Sequence, residues 1–170
     1  MKDKIFKIIY AFYLSFFVLI FIFYMVIVER RENSPNQPVK YSHKIHVFKL
    51  SLDCAFCHEN VDKGTIALPP PVSLCMTCHE SVKKDSPEII RLTTYYNNGQ
   101  PVPWVKVHKF KDWVYFSHKR HIQKGIDCTF CHGEVKAMDV VRKVRSMKMG
   151  FCVKCHEINK APRECDVCHK

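Results

Sequence analysis

The chain has 170 residues, a formal net charge of +11, ten cysteines and ten histidines. A single domain would fit this length, but an uncharged stretch near the amino terminus does not belong to a soluble fold. A charge of this size usually indicates binding to nucleic acid or to an acidic membrane surface. The cysteine motifs described below offer another explanation for the positive charge. We therefore expect no nucleic-acid partner.

The first predicted element is a membrane anchor over residues 1–29. Ile8–Val28 is an uninterrupted stretch of 21 residues without a charge, and about 20 such residues span a bilayer as a helix. A cleaved signal peptide would have an apolar region of only about 7–15 residues, followed by a cleavage site with small residues. Residues 30–40, which include two prolines, are predicted to be a linker that leads from the membrane to a domain over residues 41–170.

Five Cys-x-x-Cys-His motifs follow the linker and use all ten cysteines. This spacing allows two thiols to add to the two vinyl groups of one haem while the adjacent imidazole reaches the iron. We therefore expect five covalently bound c-type haems. The predicted attachment residues are Cys54, Cys57, Cys75, Cys78, Cys128, Cys131, Cys152, Cys155, Cys165 and Cys168, and the predicted iron ligands within the motifs are His58, His79, His132, His156 and His169.

Zinc sites and disulfides also use paired cysteines. A structural zinc ion needs four ligands, and five pairs cannot be combined two by two. Two-residue disulfide rings at every pair would be unusual and would leave the five following histidines unexplained. Haem attachment is the interpretation that accounts for every residue of the pattern.

The motifs form an internal repeat. Tyr41–His46 precedes the first motif and Phe116–His121 precedes the third at nearly the same distance, and both segments contain an aromatic residue followed by Ser-His-Lys-x-His. We predict a duplicated two-haem unit over residues 41–80 and 116–157, with a fifth haem motif at 165–169. This repeat is too short to be a solenoid.

Five histidines lie outside the motifs, and this number equals the number of expected haems that need a sixth ligand. The recurring histidine pairs indicate iron ligation for four of them, whereas His108 has no counterpart in the repeat and is included because histidine is a common metal ligand. Met147 and Met149 are competing sixth ligands close to the fourth motif. Iron with two histidine ligands has no open position, so electron transfer is expected and no catalytic residue is predicted. The five candidate sixth ligands are His43, His46, His108, His118 and His121.

About 28 residues are available for each haem, which is too few to build an ordinary protein core around every one. We expect the haems to form the core of a mainly helical, irregular and loop-rich domain with little regular secondary structure. Each oxidised haem adds about one negative charge when its propionates are counted. Much of the excess of lysine and arginine is then explained by neutralisation of the propionates.

A His-x-x-His pair ahead of a Cys-x-x-Cys-His motif resembles the class III multihaem cytochromes. The resemblance implies that His43 serves the haem at Cys54–His58 and that His118 serves the haem at Cys128–His132. The haems that His46, His108 and His121 would serve stay open.

The five motifs, the single span and the run from Pro101 to His118 resemble the membrane-anchored pentahaem cytochrome subunit of alternative complex III. A hexahaem cytochrome of a related quinone reductase complex carries similar segments. The resemblance implies an electron-transfer subunit of a membrane quinol-oxidising respiratory or photosynthetic complex, with iron–sulfur and polytopic partner subunits and a soluble periplasmic electron acceptor.

Covalent haem attachment takes place outside the bacterial cytoplasmic membrane, so the haem domain is expected in the periplasm and the amino terminus in the cytoplasm. Two alternatives remain, namely an autonomous anchored quinol dehydrogenase that feeds a periplasmic reductase and an anchored multihaem electron shuttle. The single span contains no internal ionisable residue that would accept a proton from quinol. A substrate site on this chain is therefore not expected.

Overall fold

The computed structural model describes residues 2–169, apart from the side chains of Lys2 and Arg31. Eight α-helices lie in this range, together with a π-helical turn at Lys44–Lys49 and a 3-10 turn at Val135–Ala137. Regular strands are absent from the described residues, and Val114 and His169 form an isolated β-bridge. The predicted fold class, mainly helical and irregular, is confirmed. The helices are α1 (Lys2–Asn33), α2 (Cys54–Cys57), α3 (Val72–His79), α4 (Pro87–Asn97), α5 (His118–Ile122), α6 (Cys128–His132), α7 (Met149–Ile158) and α8 (Cys165–Cys168).

Helix α1 contains the apolar stretch near the amino terminus. Its segment Asp3–Arg30 is long and apolar enough to cross a membrane, and its most apolar 18-residue stretch has a mean hydropathy of 2.7 and is not buried against the rest of the chain. This geometry is compatible with the predicted anchor. The helix continues to Asn33, into the segment that the sequence predicts to be a linker.

The described residues contain one small apolar core. Helices α3 and α4 pack against each other, and Leu92 of α4 is 4% exposed. Pro87 occupies the first turn of α4, where its fixed φ angle suits a helix start and its missing N–H is not needed. Most other large apolar side chains remain at least partly exposed, as expected for a domain whose core is completed by a cofactor. The buried core residues are Val39, Val72, Met76, Leu92 and Val102.

The two segments of similar sequence contact each other reciprocally. The backbone N–H of Lys44 donates to the carbonyl oxygen of Met138 at 3.0 Å, and the backbone N–H of Lys119 donates to that of Gly64 at 3.0 Å. Each acceptor is the sixth residue after the histidine of the first motif in its own segment. In each segment, the His-x-x-His stretch is therefore hydrogen-bonded to the loop that follows a haem motif in the other segment.

Candidate haem-attachment sites

All five cysteine pairs lie on short helices. In a helix, residues three positions apart share one face, so the two thiols of each motif are brought to one side. Asp53 and Asp127 cap α2 and α6, because their carboxylates accept from the backbone N–H groups of Ala55 at 2.7 Å and Thr129 at 2.8 Å. This use of a short acidic side chain at the first position of a helix satisfies an otherwise unpaired donor.

The ten thiols are free, and each is exposed or half-buried. They are therefore available for covalent addition and are not held in disulfides. Within residues 2–169, no group of three or more histidine, cysteine, aspartate or glutamate side chains could hold a metal ion. Such a cluster is what a zinc site requires, so the geometry does not support the zinc alternative.

The imidazoles are prepared to bind a metal through Nε2. Seven of the ten place Nδ1 against a backbone carbonyl oxygen, which can only accept, so Nδ1 carries the proton and Nε2 keeps its lone pair. This arrangement fixes both the tautomer and the orientation of each ring. The pairs are His58 with Leu68 (2.9 Å), His79 with Val82 (3.0 Å), His156 with Pro162 (2.6 Å), His169 with Trp113 (3.2 Å), His46 with Ser42 (2.8 Å), His118 with Thr65 (3.0 Å) and His121 with Ser117 (2.8 Å).

Three spare imidazoles face motif imidazoles at a spacing that suits one metal ion. A metal bound by two imidazole nitrogens at about 2 Å each separates the ring centroids by about 6 Å. The observed centroid distances are 6.1 Å for His46 and His79, 6.3 Å for His118 and His132, and 6.0 Å for His121 and His156. The donor set of these pairs therefore fits haem iron.

His43 lies near His58 in the first motif. Burial and, to a smaller extent, the neighbouring His58 lower the pKa of His43 to about 4. Its Nδ1 is buried without a hydrogen-bond partner. A ring kept neutral in this way is competent to bind a metal.

Two aromatic residues that the sequence analysis gave no role support the histidine pairs. The ring of Tyr41 stacks on His46 at 4.4 Å and meets His43 edge-on at 4.8 Å. Phe116 makes the corresponding contacts in the second segment, at 4.5 Å to His121 and 4.9 Å to His118. The recurrence of an aromatic residue before Ser-His-Lys was the signal for this role.

His108 is placed differently from the other spare histidines. Its ring meets His132 edge-on with a centroid distance of 4.5 Å, which is too short for an ion between two ligands on opposite sides. Its Nε2 is buried without a hydrogen-bond partner, and burial lowers its pKa. Of the competing ligands, Met147 is half-buried and Met149 is 69% exposed.

The motifs are neighbours in a defined order. Burial raises the pKa of several thiols. For four of them, the second largest contribution to the raised pKa comes from a nearby thiol of another motif. These neighbours join the second motif to the first, the first to the third, the third to the fourth and the fourth to the fifth. The thiols concerned are Cys75 beside Cys57, Cys128 beside Cys54, Cys131 beside Cys155 and Cys152 beside Cys168.

Comparison with known proteins relates the carboxyl-terminal part of the chain to a protein family. Residues 114–170 match the model of the family described as cytochrome c7 and related cytochrome c. That segment contains the last three motifs and one His-x-x-His pair. It is a cytochrome c7-like multihaem domain.

A curated relative extends the similarity beyond this domain. The chain is 29% identical over 162 residues to the "Menaquinone reductase, multiheme cytochrome c subunit" of Nitratidesulfovibrio vulgaris, with 79% of this chain and 77% of the relative covered. Together with the motifs, these similarities confirm the predicted multihaem c-type cytochrome.

Proposed function

We propose that this multihaem cytochrome is the anchored electron-transfer subunit of a quinone-linked membrane complex of the alternative complex III type. The carrying observation is that the motifs lie beside one another in the order second, first, third, fourth and fifth. In this complex the chain relays electrons from a quinol-oxidising partner toward a soluble periplasmic carrier. The relative supports a quinone-linked complex, because its name assigns it to a menaquinone reductase.

Five covalent haems, one for each motif, are part of this proposal. A bound haem supplies reversible one-electron oxidation and reduction. The chain holds each group by two thiols and a motif imidazole, and the spare histidines supply the opposite ligand. We assign His43 to the first motif, His46 to the second, His118 to the third and His121 to the fourth. His108 remains the proposed fifth spare ligand, and its haem is unassigned.

The ligands themselves favour electron transfer over substrate chemistry. If each iron were held by a motif imidazole and a spare imidazole, no ligand position would be left for a substrate. The stretch Ile8–Val28 of α1 contains no Asp, Glu, His, Lys or Arg, and such residues inside a membrane usually mark proton-linked chemistry. We therefore place the quinol site on a polytopic partner and expect iron–sulfur and polytopic subunits in the complex.

The proposed topology places the amino terminus in the cytoplasm and the haem domain in the periplasm. Covalent haem attachment outside the bacterial cytoplasmic membrane supports this orientation. Helix α1 is unburied along its length within the described residues, which leaves it free to contact lipid or partner spans.

The test is reduction of the purified, monodisperse cytochrome by a menaquinol analogue. We expect slow reduction of the isolated chain and rapid reduction of the chain in a complex with polytopic and iron–sulfur subunits. Rapid reduction of the isolated chain that a quinol-site inhibitor blocks would overturn the proposal in favour of an autonomous quinol dehydrogenase. Recovery of the chain without partners under gentle solubilisation would instead favour an anchored electron shuttle.

A second candidate is the reverse direction, and the name of the relative favours it. In that case electrons from a periplasmic carrier would pass through the same ligand pairs to a menaquinone site on a partner. The two directions are separated by supplying the complex with either a reduced soluble cytochrome or a menaquinol analogue. Faster turnover with the reduced cytochrome would assign a reductase.

A further inference from the structure

A loop rich in basic residues is tied to the end of α1. We call residues 140–148 the basic loop. The hydroxyl of Ser34 donates to the carbonyl oxygen of Val141 at 3.1 Å, and the backbone N–H of Lys143 donates to the carbonyl oxygen of Asn33 at 2.7 Å. Asn33 lies three residues beyond the apolar segment Asp3–Arg30, which is about 5 Å along a helix. If α1 spans the membrane, the basic loop must lie at the level of the lipid headgroups.

The positive charges of the basic loop are not neutralised by described carboxylates. Arg142, Lys143, Arg145 and Lys148 form none of the ion pairs found within residues 2–169. Three lysines outside the loop do form such pairs, namely Lys44 with Asp139 at 3.7 Å, Lys136 with Glu134 at 3.5 Å and Lys154 with Glu157 at 2.8 Å. Arg145 instead lies over the ring of Phe130, 5.7 Å from its centroid. Four cations within seven residues are therefore without a carboxylate partner among the described residues.

Apolar side chains alternate with these charges. Val140 is 59% exposed and Val144 is 43% exposed. Exposed apolar residues among lysine and arginine are typical of segments that lie in the membrane interface, where the apolar groups enter the headgroup boundary and the cations meet anionic lipid. The composition and the position of the basic loop thus point to the same surface.

We propose that the basic loop docks on anionic phospholipid headgroups of the leaflet from which α1 emerges. This inference rests on the membrane anchoring in the proposed function. The loop connects α6 to α7, which carry the third and fourth motifs. Docking would hold this part of the cytochrome toward the bilayer and limit rotation of the domain about the end of α1.

The experiment uses the full-length holoprotein in nanodiscs of phosphatidylcholine, with or without phosphatidylglycerol at about half of the lipid. Backbone hydrogen exchange is measured over residues 144–148. We expect phosphatidylglycerol to slow exchange at least about fivefold, because each cation near an anionic surface adds to the attraction. The triple variant R142Q/R145Q/K148Q should lose this difference, and the conservative variant R142K/R145K should keep it.

A second basic run provides the matched control. The exposed Lys106, Lys109 and Lys111 carry the same number of charges, and K106Q/K109Q/K111Q should retain the effect of lipid. Equal exchange in both lipids for an inserted, low-spin protein would overturn the inference and leave the proposed function standing. Protection that is independent of lipid but lost in the first variant would overturn it in favour of haem propionates. A protein that fails to insert would overturn both proposals.

Discussion

Replacing His121 by alanine is expected to open one iron in each chain to carbon monoxide. The His121 ring lies 6.0 Å from His156, and the alanine side chain cannot span that gap. The imidazole of the fourth motif would then be the one histidine left to hold that iron. If five haems are attached, one carbon monoxide per chain corresponds to about one fifth of the haem. The helix should persist, because the lost hydrogen bond from His121 runs only to Ser117 within the same segment.

The assay is a carbon monoxide titration of the dithionite-reduced protein, followed by difference spectra and normalised to total haem. The unaltered chain should bind close to none, and H121A should bind one equivalent. H46A provides an independent copy of the test, because His46 faces His79 at 6.1 Å, and the double variant should bind two equivalents. K119A, which changes an exposed side chain on the same helix, should behave as the unaltered chain does. A closed iron in H121A, or equal binding by K119A, would refute the ligand assignment.

The third motif extends the test to a contested position. H118A should open the haem at Cys128–His132, because His118 faces His132 at 6.3 Å. H108A should leave that haem closed, because a 4.5 Å centroid distance does not accommodate a shared ion. If H108A opened that haem and H118A did not, His108 and not His118 would be the ligand of the third haem. An opening at the fifth motif in H108A would support the count of spare ligands.

The remaining predictions concern stoichiometry, packing and pH. Intact mass spectrometry should give a mass about 3 kDa above that of the 20.0 kDa chain, since five haems of about 0.6 kDa each are expected. A mass that corresponds to four haems would contradict this. Leu92→Ala should lower the free energy of unfolding by about 2–4 kcal/mol in denaturant titrations, because Leu92 is 4% exposed. As a control, Ile90→Ala should lower it by less than about 1 kcal/mol, because Ile90 is 55% exposed. Burial lowers the pKa of His43 and of His132, and an iron held by these rings would also oppose their protonation, so stability should be complete above about pH 6.5 and fall as the pH drops below that value, because the unfolded chain then binds more protons. Denaturation midpoints that do not change between pH 7 and pH 4.5 would contradict the last expectation.

The cofactor chemistry could be predicted from the sequence because it depends on local spacing. A thiol pair three positions apart followed by histidine is the same whether the chain is extended or folded, and so is an apolar run long enough to cross a bilayer. The helical and irregular fold class follows from the same information, since so few residues are available for each haem.

The partners of the spare histidines could not be predicted, because they depend on contacts between distant segments. His46 precedes the first motif by eight residues, yet its ring faces His79 of the second motif. Because the spare histidines and the motifs are equal in number, His108 could be predicted to be an iron ligand. The number alone did not indicate which haem it would serve. Its position beside His132 depends on how residues 101–117 return to the third motif, and no local pattern specifies that path.

The reciprocal contacts make the two similar segments depend on each other. The backbone and the ring of His118 both donate to the carbonyl oxygen of Thr65, so the proposed ligand of the third motif is oriented by a loop of the first segment. The first and third motifs also meet through Cys54 and Cys128, at the boundary between the segments. A segment on its own would lose this orienting contact and the neighbour that continues the row of motifs. The same boundary thus holds the fold together and joins the two halves of the proposed electron path.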